Sequence, residues 1–359
     1  VRSLTVKLVL VVALVALLGV GLSTSLGGAA QQAQVGTKER PIIWLLPPSV
    51  LPATIEETGK AIAEDLYEMT GYYIKYVVAA SYAALNEAMI AAREDTMACP
   101  TTEQYAQITM ANPKVHARLA AVRRGYAYYF ASIYAFREKG YDSIEDLNGT
   151  IWIYNDPGST SGYVIPKKAF DKLGLTFAGT VESGGHTASV IALLEGQGDF
   201  ATGYGSPPVP PASLEEALKA VGFRWEYGMD PELWVWDRWR NDLWPEAIRG
   251  VVKDVRWAVA AATTAYGSYW DIVKKVGIVA TLGPMPNDSL SFCQDFPKDV
   301  EDKIVQAVIQ HIRSPEGKKL WSNPNFYEWD DVMEIDDSFY DCYRELVGYP
   351  IPEGRSCKH

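Results

Sequence analysis

Residues 150–166 read TIWIYNDPGSTSGYVIP. Thr150 to Tyr154 is β-branched and aromatic and predicts a strand; Asn155 to Ser161 is a Pro- and Gly-containing loop; a helix is expected from about Tyr163 to Leu173. A strand running through a loop into a helix N-terminus is the unit from which parallel sheets with covering helices are built. The loop also carries chemistry. Ser159, Thr160 and Ser161 offer hydroxyls beside first-turn N–H groups that have no intrahelical acceptor, a compact cradle for an anion. Ser and Thr are equally ordinary N-cap residues, and Gly and Pro ordinary loop residues. The stretch lacks G-x-x-x-x-G-K-[ST], so it is not a nucleotide P-loop.

The same grammar extends in both directions. Upstream, Pro41 to Leu46 predicts a short buried strand, Thr54 to Met69 a helix, Tyr73 to Val78 a strand, Tyr82 to Ala92 a helix and Tyr128 to Phe136 a strand. Downstream, Ala188 to Glu195 predicts a helix, 199–204 (DFATGY) a strand, Ile278 onward another strand leading into GPMPND, and Val300 to Ile312 an amphipathic helix. Two α/β units fit 359 residues at about 150 per domain. Ser183-Gly184-Gly185-His186-Thr187 precedes the Ala188 helix and repeats the loop-to-helix arrangement; a lone histidine there is more often structural than ligand-binding. Residues 205–245 break the pattern with SPPVPP and the aromatics Trp225, Tyr227, Trp234, Trp236, Trp239 and Trp244, which either pack inserted loops against a lobe or form a lid. The last 30 residues show no strong periodicity.

Lys+Arg 33 against Asp+Glu 44 leaves a net charge of −11, which excludes a phosphate-backbone binder. Arg2 and Lys7, an apolar run from Leu8 to Leu22 and small residues near Ala30 read as an export signal over residues 1–30, short for a spanning helix of about 20 residues. A retained anchor is the alternative. Residues 31–39 are expected to be a solvated spacer, and the mature protein to work outside the cytoplasmic membrane. Cys99, Cys293, Cys342 and Cys357 show no metal-ligand spacing; Cys342 and Cys357 could staple the C-terminal tail, and Cys99 reads as a buried thiol. No metal or cofactor is expected. Ser161, His186 and Asp199 could be cast as a triad, but there is no G-x-S-x-G elbow and no H-E-x-x-H, and binding without catalysis needs less special placement.

In order along the chain, DLYEMTG, ASYAALNEAM, GYAYYFASI, SIEDLNG, NDPGSTSGYVIP, GGHTASVIALLEGQGDF, GPMPND and DDSFYDCYRELV resemble the exported substrate-binding proteins of phosphonate, phosphite and phosphate ABC transporters. The resemblance covers about residues 40–204 and 276–346. It implies a type II periplasmic-binding-protein-like α/β fold of two lobes, each a mixed sheet flanked by helices, with the ligand cleft between them. Residues 40–130 plus 281–359 would form lobe 1, and 131–280 lobe 2, with an insertion at about 205–257. The implied ligand-binding residues are Ser159, Thr160, Ser161, Gly162, His186, Tyr82, Tyr129, Asp288 and Tyr204. The implied activity is capture of a phosphonate-, phosphite- or phosphate-type oxyanion by a monomer and its delivery to an ABC permease, without catalysis. Gly203-Tyr204-Gly205-Ser206-Pro207 lacks the acid that aminoalkylphosphonate binders place there, leaving Asp288 as the evident partner for a ligand amine.

Overall fold

A computed structural model describes residues 34–49, 52–323 and 326–357. The export segment at 1–30 lies outside the described residues. Two sheets organise the chain. The first has the order β13-β4-β12-β3-β1-β2, with β1 Ile42–Leu46, β2 Ile74–Val78, β3 Thr96–Ala98, β4 His116–Val122, β12 Ser289–Phe292 and β13 Asp331–Glu334. The second has the order β11-β5-β8-β6-β7, with β5 Tyr128–Phe136, β6 Ile151–Tyr154, β7 Gly179–Glu182, β8 Phe200–Gly205 and β11 Val276–Pro286. In each sheet three strands are parallel, β2-β1-β3 and β7-β6-β8, and antiparallel strands complete it. The central parallel strands β1 and β6 are buried on both faces or nearly so, which is why IIWLL and IWIY are short continuous apolar runs instead of alternating ones.

Helices cover both sheets. In the first lobe α1 Pro52–Thr70, α2 Tyr82–Ala91 and α3 Thr102–Ala111 follow β1, β2 and β3. Thr101 caps α3 with a reciprocal bond to Gln104, fixing where that helix begins. In the second lobe a π-turn at Thr160–Val164 leads into α4 Ile165–Leu173, and α5 His186–Leu194 follows β7. Trp44, Leu66, Met97, Phe292 and Trp321 belong to the first core. Trp152 centres an aromatic cluster in the second, stacked on Tyr163 and Phe200 and edge-on to Phe170.

The chain passes between the sheets at 123–127 and again at 287–288. These crossovers are bonded to each other: Asn287 Nδ2 donates to the carbonyls of Ala121 (2.9 Å) and Tyr126 (3.0 Å), and the Ala121 N–H donates to the Asp288 carbonyl (2.9 Å). The expectation of a solvated spacer up to residue 39 fails from Val35 on. Val35 is buried in the first core and the Gly36 carbonyl accepts the Tyr73 N–H, so this stretch begins the lobe.

The aromatic insertion contains α6 Ala212–Ala220, a β9–β10 hairpin (Trp236–Asp237 with Asp242–Leu243) and α7 Val255–Ala262, and α8 Tyr269–Lys275 follows it. It is held by a buried ion network: Arg256 reaches Asp254 at 2.7 Å and Glu232 at 2.6 Å, and Arg137 also pairs with Glu232. Trp236 packs in the second core with Arg137 over its ring at 3.8 Å. In the first lobe α9 Lys298–Arg313 and α10 Pro315–Trp321 pack with α1, and the C-terminal stretch contains α11 Asp341–Val347. The Cys342–Cys357 disulfide ties α11 to the tail, while Cys99 and Cys293 are buried thiols. Trp44 Nε1 donates to Cys99 Sγ at 3.2 Å, and burial pushes the Cys99 thiol up to about 12. Among the described residues no helix is long and apolar enough to cross a membrane.

Candidate functional site

In an open α/β sheet the carboxyl ends of parallel strands are where loops and helix N-termini converge, so ligands bind there. Both lobes follow this rule, and their ends meet in one cavity of about 60 Å³. From the first lobe come Ser49 after β1 and Thr101 after β3. The second lobe contributes Ser159, Thr160 and Ser161 after β6, His186 after β7, and Tyr204 and Ser206 at the end of β8. Arg123, Tyr129 and Asp288, at or beside the crossovers, and the stretch Phe326, Tyr327 and Glu328 complete the lining. A site for one water needs at least about 10–15 Å³ on this measure, so the space holds a few waters or one small anion.

The 159–161 loop is shaped for close approach. The Ser159 hydroxyl accepts the Gly162 N–H at 3.2 Å, while the N–H groups of Thr160 and Ser161 have no acceptor among the described residues. Gly162 itself faces away from the cavity lining, toward Asn155. A Cβ at position 162 would stand 1.8 Å from Asn155 Oδ1, so only glycine lets the π-turn close over the end of β6. The wide turn leaves donors free that an α-helical first turn would space differently. Across the cleft, the Glu103 N–H of α3 donates to Thr160 Oγ1 at 2.9 Å, so the lobes are closed on each other.

His186 begins α5 and is 6% exposed. Burial lowers its ionisation to about 4, so at neutral pH it is an uncharged ring with one donor nitrogen. Nε2 lies 3.4 Å from Ser159 Oγ, Nδ1 has no hydrogen-bond partner among the described residues, and the ring meets Tyr204 edge-on with centroids 5.2 Å apart. The charged residues of the lining, Arg123, Asp288 and Glu328, come from elsewhere.

Arg123 is the residue that sequence reasoning missed. Its Nη2 pairs with Asp288 Oδ2 at 2.6 Å and its Nε donates to the Tyr327 carbonyl at 2.9 Å, joining both crossovers to the 326–328 stretch. Nothing in RRGYAYY marks one arginine as special; only the pairing with a residue far along the chain does. Asp288, expected to be available for a ligand amine, is therefore already bound to a guanidinium. Glu328 is a second carboxylate on the wall that sequence did not single out.

The other expected residues take supporting places. Tyr82 is buried behind the cavity, donating to Ser49 Oγ at 3.1 Å, and is not part of the lining. Tyr129 lines it, 7% exposed, and burial raises its phenol above the ordinary value. Trp234 and Trp236 do not reach the cavity, and Trp239, at the β9–β10 turn, is 96% exposed. Asp199 precedes β8, at the end of that strand away from Tyr204, and accepts the Ile151 N–H at 2.9 Å, so it forms no triad with Ser161 and His186. His116 and His311 pair with Glu301 and Asp65 in the first lobe. No group of metal-ligating side chains occurs among the described residues.

Two lobes joined by paired crossovers, closed over a small cavity at their strand ends, define a type II periplasmic-binding-protein fold. Comparison with known proteins places it more narrowly. The family described as "ABC transporter, phosphonate, periplasmic substrate-binding protein" matches residues 45–219. A binding protein component of an ABC phosphonate transporter from Pseudomonas aeruginosa is 17% identical, with a TM-score of 0.58 and 85% of each chain covered. PhnD1 from Prochlorococcus marinus in complex with methylphosphonate is 12% identical, with a TM-score of 0.57, covering 86% of this chain and 96% of that one. A Xanthomonas citri protein bound to chloride ion is 14% identical at a TM-score of 0.57, with 86% and 96% covered. The fold is that of the phosphonate-transporter binding proteins.

Proposed function

We propose that the protein is an extracytoplasmic receptor that captures a small phosphorus oxyanion and presents it to an ABC permease. The observation that carries this is the convergence of Ser159, Thr160, Ser161 and neutral His186, with open helix-start N–H groups, on one closed cavity where, among the described residues, Arg123 is the lining cation. Hydroxyls and N–H groups donate to every face of a tetrahedral anion without a heavy desolvation cost, and Arg123 supplies charge that Asp288 partly offsets. The family match over 45–219 and the methylphosphonate complex of a protein with the same fold support a phosphonate or phosphate ligand.

In this mechanism the anion enters between open lobes, exchanges water for the second-lobe donors, and favours the closed state because only there do Arg123, Tyr129 and the first-lobe residues complete its surroundings. The 1–30 segment would deliver the chain across the membrane or hold it there. A thermal-shift panel of phosphate, methylphosphonate, sulfate, methanesulfonate and acetate tests the ligand class. Phosphorus oxyanions should stabilise the protein in proportion to the logarithm of their concentration. Stabilisation by acetate alone, or by none of the five, would contradict the proposal.

A further inference from the structure

The lobes also meet outside the cavity, through the last stretch of the chain. Helix α11 belongs to the first lobe: Arg344 donates to Thr109 of α3 at 2.8 Å, and Tyr340, just before it, packs on Tyr105 with ring centroids 4.4 Å apart. Yet Tyr343 and Val347 of the same helix share one buried apolar cluster with Ile165 of α4 and Ala131 of β5, which are second-lobe residues. Tyr349, Val164 and Leu282 pack against that cluster. Apolar surface paired across a cleft returns to water when the lobes part, so the cluster favours the closed state.

Residues 349–357 follow α11 and form neither helix nor strand, so side chains must hold them. Cys357 is bonded to Cys342, and Arg355 pairs with Asp341 (Nε to Oδ2, 2.9 Å) and Asp337 (2.7 Å). The Tyr349 hydroxyl donates to Glu103 Oε1. Glu103 is 1% exposed; its Oε2 accepts the Tyr343 hydroxyl at 2.5 Å and its Oε1 also accepts Gln107 Nε2 at 2.7 Å. The backbone N–H of this same residue donates across the cleft to Thr160 Oγ1, which leaves the Thr160 hydroxyl proton free to be donated elsewhere. One buried glutamate thus joins the tail to the second-lobe cradle.

We infer that the disulfide-stapled segment 341–357 is a latch that holds the lobes closed and sets how long a ligand stays in the cavity. The staple joins residues 15 apart and so limits the freedom that the tail would otherwise lose on seating Tyr349 and Arg355. Once it is cut, only the hydroxyl and the ion pairs order the tail. A contact made in the closed state alone shifts the open and closed populations, so the latch slows escape without speeding entry. It acts whichever anion fills the cavity.

Both cysteines are partly exposed, so dithiothreitol can reach the bond, cleaving it to two thiols while being oxidised to its own cyclic disulfide. Stopped-flow dissociation of methylphosphonate, and small-angle X-ray scattering of the ligand-free protein, compare the oxidised wild type, the reduced wild type, the double variant Cys342→Ser with Cys357→Ser, and Tyr349→Phe. Cutting the staple should speed dissociation by about threefold or more, leave association within about twofold, and enlarge the radius of gyration as the open form gains. Tyr349→Phe should act in the same direction with the disulfide intact. The reduced wild type replaces no side chain and covers the case of a variant that does not fold. A dissociation rate unchanged by reduction and in both variants would overturn the latch and leave the oxyanion site standing. If methylphosphonate does not bind at all, the oxyanion reading falls and scattering decides alone: a larger radius on reduction upholds the latch, and an unchanged radius overturns it.

Discussion

The second lobe meets the cavity with neutral donors, Ser159, Thr160, Ser161 and His186, all on short loops directly after β6 and β7. The crossovers and the first lobe meet it with charges, Arg123, Asp288 and Glu328, brought together from opposite halves of the chain. The first arrangement is local: a strand, a loop and a helix start suffice to position each donor. The second exists only when both sheets are assembled and the crossovers are bonded. The difference teaches that the donors are positioned by local strand-loop-helix units, while the charges depend on the assembly of both sheets and their crossovers.

The largest expected effect removes the cation of the assembled wall. Arg123→Ala leaves the half-buried Asp288 without its counterion and withdraws the guanidinium from the cavity. Loss of a hydrogen bond between charged groups costs roughly 1.5–3 kcal/mol, so calorimetry should show methylphosphonate affinity falling by about ten- to a hundredfold. An effect of only a few-fold would mean that the charged wall is a structural clasp and the donors act without it.

A smaller effect probes the neutral rim through pH. His186 ionises at about 4 in the folded protein against an ordinary histidine value of 6.5, so as pH falls the unfolded chain takes up this proton first. Its contribution to stability is complete above about pH 6.5 and is lost through the window down to about 4, roughly 3 kcal/mol in all. Urea melts across that window should show the decline, and His186→Gln should flatten it by about one proton's worth. A wild-type curve identical to that of the variant would show that the ring is not held neutral by burial.

The smallest effect separates both regions from the aromatic insertion. Trp234 packs against Phe223 and the second core, with ring centroids 5.9 Å apart to Phe223, and does not line the cavity. Trp234→Ala should lower the melting temperature yet leave anion affinity within about twofold, as expected for sites with no shared partner. A large affinity change would bring the insertion into the binding mechanism.

Much of this division was legible in the sequence. The strands at 128–136 and 150–154, the α5 segment and the amphipathic helix near 300–312 follow from apolar period and turn residues, because their burial is set by neighbours close in sequence. The loop-to-helix turn at 159–161 was legible for the same reason. The 93–127 region was not: β3 is only Thr96–Ala98, and α3 buries Glu103 and Gln104, so its polar residues hide a buried helix. Glu103 is satisfied there by the Tyr343 and Tyr349 hydroxyls from the far end of the chain. Arg123 and Glu328 escaped for that reason too, since their meaning lies in partners that only the fold supplies. The tryptophans of the insertion left two readings open in the sequence, packing of inserted loops against a lobe or a lid, and the structure uses Trp225, Trp234 and Trp236 to pack loops.

The central claim is that the second-lobe rim binds a phosphorus oxyanion. Calorimetric titration of phosphate and methylphosphonate into the wild type and into the double variant Ser161→Ala with His186→Ala tests it most directly. One anion per protein should bind the wild type, and the double variant should bind at least about tenfold more weakly while keeping its thermal transition. Equal affinity in the two proteins would contradict the assigned site.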